Sequence, residues 1–309
     1  MTPILQVKNL KVYYPVRSGI LGRTTGHIKS VDDISFQVEH GETLGLIGES
    51  GCGKSTTGKA ILGLAKIHSG QIFFNGEDIT KYIGKNKSAY RQSVQMIFQD
   101  VYSSMNPKER VLDIIAEPLR NFEKMSKAEE RKRVDELLSI VGLTAENAEK
   151  YPHQFSGGQR QRIAIARAIA LKPKLIVCDE PVSALDLSVQ AQVLNHLKEL
   201  QAQLGLSYLF ISHDLGVVDY MCKHLMVMHK GRFVEKGTSE EIYGNAQHIY
   251  TKRLIAATPD LDPDKREENQ ALRRTINQAY EHDAGTFYKP DGTVYNLKQL
   301  TQTHAVALP

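Results

Sequence analysis

The chain has 309 residues, of which 41% are hydrophobic and 24% are charged, and its formal net charge is +4. These values are typical of a globular protein with room for two subdomains, and the interspersed charges exclude the concentrated basic surface of a nucleic-acid-binding protein. No apolar run approaches the roughly 18 residues of a membrane span, and the three cysteines are not spaced for a metal site or a disulfide framework.

The first third of the chain alternates short apolar runs with turns and then changes to a helical pattern. The glycine-rich, basic stretch 17–26 predicts a hairpin loop between two strands. Residues 42–47 predict a short buried strand, and residues 56–64 continue as a helix with one apolar face. Residues 71–74 and 94–98 predict further strands.

The segment between the strand 42–47 and the helix reads G-E-S-G-C-G-K-S and fits the P-loop pattern G-x-x-x-x-G-K-[ST]. Its glycines allow a tight turn that points backbone N–H groups at a β-phosphate, and the helix N-terminus that follows favours the same negative charge. Lys54 adds a positive charge near the β/γ bridge, and the Ser55 hydroxyl is placed to bind Mg²⁺. The pattern therefore predicts bound ATP and Mg²⁺, with contacts from Gly48, Ser50, Gly51, Cys52, Gly53, Lys54, Ser55 and Thr56.

The pattern from about residue 105 to residue 160 is helical and charged, and it predicts an inserted α-helical subdomain. Ser126 and Glu129 form a predicted capping box, and Gly142 is expected to end the helix that they begin. A further helix is predicted over 160–170. The segment F-S-G-G-Q at 155–159 precedes it and predicts a second anion-binding helix start.

The apolar strand predicted at 175–178 is followed by two acids, Asp179 and Glu180. In the Walker B arrangement the first acid binds Mg²⁺, usually through water, and the second aligns or deprotonates the attacking water. A pair of acids at the end of a strand is common in isolation, but a P-loop upstream favours the Walker B interpretation. Since a single ATP needs one P-loop, the second helix start predicts a head-to-tail dimer in which the 155–159 loop covers ATP held by another subunit.

The remaining elements alternate between helix and strand, which predicts a mostly parallel sheet with helices on both faces. Ser188 is the expected N-cap of the next helix, and residues 208–211 predict a strand. After about residue 245 we expect a linker at 259–264, a charged helix at 265–279 and a hairpin within 286–295. The sequence assigns this tail no function beyond packing.

These motifs, in this order, resemble the ABC ATPase family, whose signature L-S-G-G-Q differs from the segment 155–159 only in its first residue. The resemblance implies that Gln99 binds Mg²⁺ and couples to membrane subunits, that Asp186 lies along the dimer seam, and that His213 hydrogen-bonds the γ-phosphate. It also implies that Tyr14 stacks on adenine, with Tyr13 as the alternative. The residues placed on nucleotide by the partner-facing loop are Ser156, Gly158 and Gln159.

The resemblance implies an α/β fold of the P-loop NTPase (RecA-like) type, with a mixed sheet core and an N-terminal antiparallel β subdomain. We expect an ABC ATPase domain at 1–245, with the helical subdomain at about 105–160 inserted in it, and a C-terminal extension at 246–309.

Within that family the chain is similar to the F-type ATPases of oligopeptide and dipeptide importers, on the segments 48–56, 99–107, 151–162 and 248–252. This similarity implies a peripheral ATPase at the cytoplasmic face of the cell membrane. Its implied partners are a homologous ATPase, two transmembrane permease subunits and an extracytoplasmic peptide-binding protein, with no nucleic acid. Whether the ATPase pair is a homodimer or a heterodimer stays open.

Three alternatives are retained from the sequence. An importer ATPase for nickel or another small solute would use the same residues. A non-transport ABC ATPase is disfavoured because the interval between Lys54 and Ser156 carries no sustained heptads. A scaffold that binds ATP without turnover is disfavoured by the presence of Asp179, Glu180 and His213.

Overall fold

The computed structural model describes residues 2–18, 23–82, 88–258 and 266–309. The chain divides into two compact units. The first comprises Met1–Val38, Thr43–Gly84 and Phe210–Pro309, and the second comprises Glu39–Glu42 and Lys85–Leu209.

The strands, in chain order, are β1 (Leu5–Ser18), β2 (Arg23–Val38), β3 (Thr43–Ile47), β4 (Ser69–Phe74), β5 (Glu77–Asp78), β6 (Val94–Ile97), β7 (Leu175–Asp179), β8 (Ser207–Ser212), β9 (His224–His229), β10 (Arg232–Thr238), β11 (Leu297–Gln299) and β12 (Ala305–Ala307). The helices are α1 (Lys54–Ile61), α2 (Ser88–Ser93), α3 (Val111–Phe122), α4 (Lys127–Ile140), α5 (Gly157–Ile169), α6 (Leu187–Leu204), α7 (Leu215–Met221), α8 (Ser239–Asn245), α9 (Ile249–Ala257) and α10 (Arg266–Phe287), with short 3-10 turns at Ala145–Glu149 and Pro152–Gln154.

The first unit combines an antiparallel sheet with a mixed one. The antiparallel sheet has the order β2-β1-β4-β5, and the strands of this unit's mixed sheet follow the order β11-β12-β10-β9-β3. β3 runs parallel to β9, whereas β10 runs antiparallel to both β9 and β12. A mixed sheet together with an antiparallel N-terminal sheet confirms the predicted fold class.

The strands that flank the predicted hairpin loop at 17–26 reach further into it than its glycine content indicated. β1 and β2 pair from Leu5↔Val38 to Ser18↔Arg23. Residues 17–18 and 23–26 of the expected loop are therefore strand, because β1 and β2 satisfy each other's backbone groups there. The tip, 19–22, lies outside the described residues.

β3 is buried along all five of its residues, and its glycine allows an unusually close approach. A Cβ atom on Gly45 would lie 2.7 Å from Leu225 Cδ2 and 2.8 Å from Val218 Cγ1. The strand that leads into the P-loop is therefore held against both β9 and α7, since interiors packed to this density leave little room for displacement.

The second unit contains the parallel pair β6 and β7 and the helices α2 to α6. The predicted capping box of α4 is confirmed: Glu129 N donates to Ser126 Oγ at 3.3 Å, and Ser126 N donates to Glu129 Oε2 at 2.8 Å. Gly142, at φ 71°, follows the end of this helix as expected. All five residues of β7 are buried, which fits the unbroken apolar run in its sequence.

Two predicted helix starts were wrong by two or three residues. α5 begins at Gly157 rather than at 160, because Ser156 forms a capping box with Gln159. α6 has Asp186 rather than Ser188 as its N-cap, and the Asp186 carbonyl accepts from Val189 N and Gln190 N at 2.9 and 2.8 Å. Neither start is visible in apolar periodicity alone, since the first turns of both helices are exposed or glycine-rich.

The C-terminal region departs from the prediction in one helix. α10 extends to Phe287, past the expected end at 279. The predicted hairpin is present as a single antiparallel bridge between Tyr288 and Val294, closed by a turn in which Gly292 N donates to the Lys289 carbonyl at 2.8 Å. The predicted linker 259–264 lies outside the described residues. β12 is buried at all three residues and pairs with β10, so the tail adds strands to the core sheet.

Buried histidines in the first unit predict acid lability. Burial lowers the pKa of His229 to about 4 and the pKa of His248 to about 3. Since the unfolded chain binds these protons near pH 6.5, the neutral histidines stabilise the fold above that pH, and the stability is lost as the pH falls from 6.5 towards 4. The expected slope is about 1.4 kcal/mol of unfolding free energy per pH unit for each histidine.

Chemical denaturation of the full chain between pH 7.5 and 4.5 measures this slope. His248→Asn keeps an N-cap side chain for α9 but removes one titration, so the variant is expected to show a shallower slope. Equal slopes for variant and parent would show that His248 does not contribute to the acid dependence.

Candidate functional site

The predicted P-loop joins β3 to α1, and two of its glycines cannot be replaced without a clash. Gly48 has φ 151° and Gly53 has φ 115°. A Cβ atom would lie 2.3 Å from the Met228 carbonyl oxygen at Gly48 and 2.2 Å from the Ser30 carbonyl oxygen at Gly53. Both positions require glycine, because neither the backbone conformation nor the space admits a side chain.

Lys54 is 4% exposed, and its ammonium group is held inside the loop. Lys54 Nζ donates to the Gly48 carbonyl at 2.7 Å and to the Glu49 carbonyl at 2.9 Å. A buried cation bound to neutral carbonyls has no formal counter-charge among these contacts, so an anion at the loop would be strongly favoured. This arrangement fits a polyphosphate.

The other predicted loop residues differ in their solvent exposure. Ser50 and Gly51 are exposed, and no atom lies within 4 Å of a Cβ built on Gly51. Ser55 and Thr56 are half-buried, and Ser30 Oγ donates to Thr56 Oγ1 at 2.9 Å. Cys52 is buried, and burial raises the pKa of its thiol, so Cys52 would contribute backbone rather than thiolate to a ligand.

The two candidate adenine-stacking tyrosines face different environments. Tyr13 already has partners within the fold. Its hydroxyl hydrogen-bonds the Asp32 carboxylate, and its ring stacks on His68 at 4.5 Å between centroids. Burial, together with the contact to Asp32, raises the pKa of Tyr13 to about 12. Tyr14 points to the other side of β1 and is 42% exposed. Alternation along the strand therefore gives Tyr14 the more accessible ring of the two.

Asp179 and Glu180, the two predicted Walker B acids, have different environments. Asp179 is 4% exposed at the end of β7, and Glu180 follows it at φ 49°, a sparsely populated conformation for a residue with a long side chain. Gln99 Nε2 donates to Glu180 Oε2 at 2.6 Å. The structure thus brings two of the predicted catalytic residues together, and the backbone strain at Glu180 is typical of functional sites.

The predicted signature loop presents an exposed helix start. Ser156 Oγ accepts from Gln159 N at 3.3 Å, and Gln159 Oε1 accepts from Ser156 N at 3.1 Å, with both residues exposed. A Cβ atom on Gly158 would lie 2.4 Å from Val189 Cγ1, so the first turns of α5 and α6 touch only because residue 158 is glycine. Asp186, also exposed, stands at the start of α6.

His213 lies between β8 and α7 and is exposed. The next residue, Asp214, caps α7 by accepting from Val217 N at 3.2 Å, and Asp214 N donates to Ser212 Oγ at 3.0 Å. The imidazole is therefore carried on a short, hydrogen-bonded turn at the carboxyl end of a strand, where ligands of α/β proteins bind.

Comparison with known proteins agrees with this set of motifs. The family described as "ABC transporter" matches residues 31–183, and the family described as "Oligopeptide/dipeptide transporter, C-terminal region" matches residues 234–291. The oligopeptide transport ATP-binding protein OppF of Lactococcus lactis subsp. lactis is 54% identical over 309 residues, covering 100% of this chain and 97% of the relative. The chain belongs to the ATP-binding proteins of ABC transporters.

Two further matches extend the comparison. The dipeptide transport ATP-binding protein DppF of Haemophilus influenzae is 45% identical over 94% of this chain and 88% of the relative. The solved dimeric structure of the ATP-binding cassette MJ0796 in a post-hydrolysis state, bound to ADP and Pi, superposes with a TM-score of 0.66 at 26% identity, covering 76% of this chain and 98% of that one.

Family membership makes this protein a nucleotide-binding ATPase and a subunit of an ABC transporter. Across the ranges that the structure describes, no helix is both long and apolar enough to cross a membrane.

One contact of the phosphate loop was not expected from the sequence. Tyr250, in the segment 248–252, accepts a hydrogen bond from Glu49 N at 2.9 Å, although the two residues are 201 positions apart. The similarity of this segment to transporter ATPases marked it as a family feature but did not connect it with the loop.

Proposed function

We propose that this protein is the ATP-hydrolysing subunit of an importer that takes up oligopeptides or dipeptides. The observation that carries the proposal is 54% identity, across the full length, to a relative named for oligopeptide transport. The match of residues 234–291 to the oligopeptide/dipeptide transporter C-terminal region supports it. We assign the ATPase domain to 1–245, with the helical insertion at about 105–160, and the extension to 246–309.

In this proposal the phosphate loop binds the triphosphate of ATP. Backbone N–H groups of the loop and the Lys54 ammonium neutralise the β- and γ-phosphates. Ser55, Asp179 and Gln99 offer oxygen ligands, which is the donor set that Mg²⁺ prefers. Bound Mg²⁺ would offset the charge that develops on the phosphate oxygens. Tyr14 stacks on the adenine.

Hydrolysis requires a water that is positioned and deprotonated. Glu180 acts as the general base, and the hydrogen bond from Gln99 at 2.6 Å holds its carboxylate in place. His213 donates a hydrogen bond to the γ-phosphate. The buried position of Glu180 and its strained backbone support this role, because a base must stay fixed while water exchanges around it.

The site is completed by a second ATPase subunit, either a homologue or a second copy. Ser156, Gly158, Gln159 and Asp186 lie at the seam and contact nucleotide held by the other subunit's phosphate loop. Two transmembrane permease subunits sit above the ATPase pair at the cytoplasmic face of the membrane, and an extracytoplasmic peptide-binding protein delivers cargo.

Reconstitution of the transporter with its binding protein tests the cargo assignment. Uptake of labelled di- to hexapeptides into ATP-loaded vesicles is expected, and it should be absent with Lys54→Ala, since the loop then lacks its cation. Uptake of nickel or another small solute, with no peptide uptake, would overturn the peptide assignment and leave the ATPase assignment intact.

A further inference from the structure

The first turn of α9 is hydrogen-bonded to the phosphate loop. Tyr250 is 0% exposed, and its hydroxyl accepts from Glu49 N at 2.9 Å. The carbonyl of the same peptide unit, Gly48 O, accepts from Lys54 Nζ at 2.7 Å. One peptide plane of the loop is therefore held on one side by the loop's own lysine and on the other by a residue of the C-terminal region.

A rotation of this peptide plane would change the conformation of the loop. Gly48 has no Cβ, so a rotation of the Gly48–Glu49 peptide meets little steric resistance from the residue itself. A rotation would also turn the Gly48 carbonyl away from Lys54. The Tyr250 hydroxyl opposes it, because the rotated N–H would lose its acceptor.

A second contact acts on the side chain of the same loop residue. Arg253 Nη2 donates to Glu49 Oε1 at 3.2 Å, and the Arg253 guanidinium lies over the Tyr280 ring at 4.6 Å from its centroid. Tyr280 belongs to α10, so this ion pair connects the loop to a second helix of the C-terminal region. Both partners are partly exposed, so this pair contributes less than the buried hydroxyl.

Tyr250 is itself fixed by buried groups. Its backbone N–H donates to His248 Nδ1 at 3.1 Å, and His248 N donates to Glu235 Oε2 at 3.1 Å. Glu235, in β10, is fully buried and also contacts His304 Nε2 at 2.7 Å. The tyrosine ring packs on His229 at 3.9 Å between centroids. A hydroxyl anchored in this way has little freedom to follow a moving loop.

We propose that Tyr250 is a positioning residue for ATP binding, which holds the Gly48–Glu49 peptide in the orientation that receives the triphosphate, and that Arg253 assists through Glu49. This inference rests on the proposed role of the segment 48–56 as the phosphate loop. It gives the C-terminal region a direct part in nucleotide affinity in addition to its packing role.

Tyr250→Phe tests the inference, and Tyr208→Phe is the matched control. Tyr208, in β8, is also fully buried, and its hydroxyl donates to the Leu197 carbonyl of α6 at 3.0 Å rather than to a residue of the phosphate loop. We expect a similar loss of thermal stability in both variants. Only Tyr250→Phe should weaken ATP binding by the full-length chain, by about two- to tenfold, because one net hydrogen bond is removed. Unchanged ATP affinity in Tyr250→Phe overturns the proposal.

Arg253→Gln supplies an independent readout if Tyr250→Phe fails to fold. The variant is expected to weaken ATP binding by up to about fivefold at low salt, and less at high salt. Made in a Glu49→Gln background, it should have no further effect, because the partner charge is already gone. An equal effect in both backgrounds, or none in the parent, contradicts the positioning role.

Lys54→Ala, titrated alongside, separates the two proposals. Loss of binding in Lys54→Ala with unchanged binding in Tyr250→Phe and Arg253→Gln refutes only the positioning role. Full ATP binding by Lys54→Ala refutes the phosphate-loop assignment on which this inference rests.

Discussion

Glu180→Gln is expected to reduce ATP hydrolysis by about 10²- to 10⁴-fold while ATP binding stays within about twofold of the parent. Glutamine has the shape of glutamate and keeps an oxygen that can accept from Gln99 Nε2, so the contact observed at 2.6 Å can survive. What is lost is the carboxylate that accepts a proton from water in the proposed mechanism. The effect should therefore fall on turnover and leave the affinity for ATP intact.

The measurement is phosphate release by the reconstituted transporter, together with ATP binding by the same preparation. Glu136→Gln is a suitable control, because Glu136 is an exposed glutamate of α4 that pairs with Arg133 at the surface. We also expect the Glu180→Gln complex to accumulate with its two ATPase subunits closed on ATP, since hydrolysis resets the assembly. Normal turnover in this variant would show that another group accepts the proton.

The sequence predicted the parts of the site that depend on backbone geometry. The P-loop pattern specifies glycines at positions with positive φ, and the structure places Gly48 and Gly53 in such conformations with no room for a Cβ. The strand before Asp179 was equally clear, because a fully buried parallel strand has a continuous apolar sequence. Glycine positions in a loop and buried strands can therefore be predicted from the local sequence, without knowledge of distant contacts.

Choices that depend on distant partners could not be made from the sequence. Tyr13 and Tyr14 are both aromatic and adjacent, and the contacts of Tyr13 with Asp32 and His68, which favour Tyr14 as the proposed adenine partner, are not visible in the sequence. The contact between Tyr250 and Glu49 is of the same type. No periodicity or motif links Glu49, which follows β3, with Tyr250 in α9, because the two meet only in the folded chain.

Errors in helix boundaries have a related cause. The start of α6 at Asp186 was missed because the next residue, Leu187, is 78% exposed and does not follow the buried face of the helix. An exposed leucine at a predicted subunit seam is consistent with a surface that is covered in the assembled transporter. Apolar periodicity reports burial within one chain, so it does not detect a residue that a partner subunit covers. The sequence therefore predicted Ser188, the next residue with a capping side chain, as the N-cap of α6 in place of Asp186.

The second large effect is expected at the seam itself. Ser156→Arg should leave ATP binding by the isolated chain within about twofold of the parent, because in the proposed arrangement Ser156 contacts nucleotide on the other subunit. In the assembled transporter we expect hydrolysis at that site to fall by about 100-fold, since a donor to the transferring phosphate is replaced by a side chain too large for a closed seam. In a homodimer both sites are affected, and in a heterodimer only the one that Ser156 completes.

Ser126→Arg is the matched control for this experiment. Ser126 and Ser156 are both exposed N-caps with a capping box, and each accepts from the N–H three residues later at 3.3 Å. Each substitution therefore removes an equivalent cap, at about 1 kcal/mol of stability. If the seam arrangement holds, only Ser156→Arg stops turnover. Equal losses in the two variants would mean that the cap of α5 has a structural role alone, and unimpaired turnover in Ser156→Arg would place the signature loop away from any nucleotide.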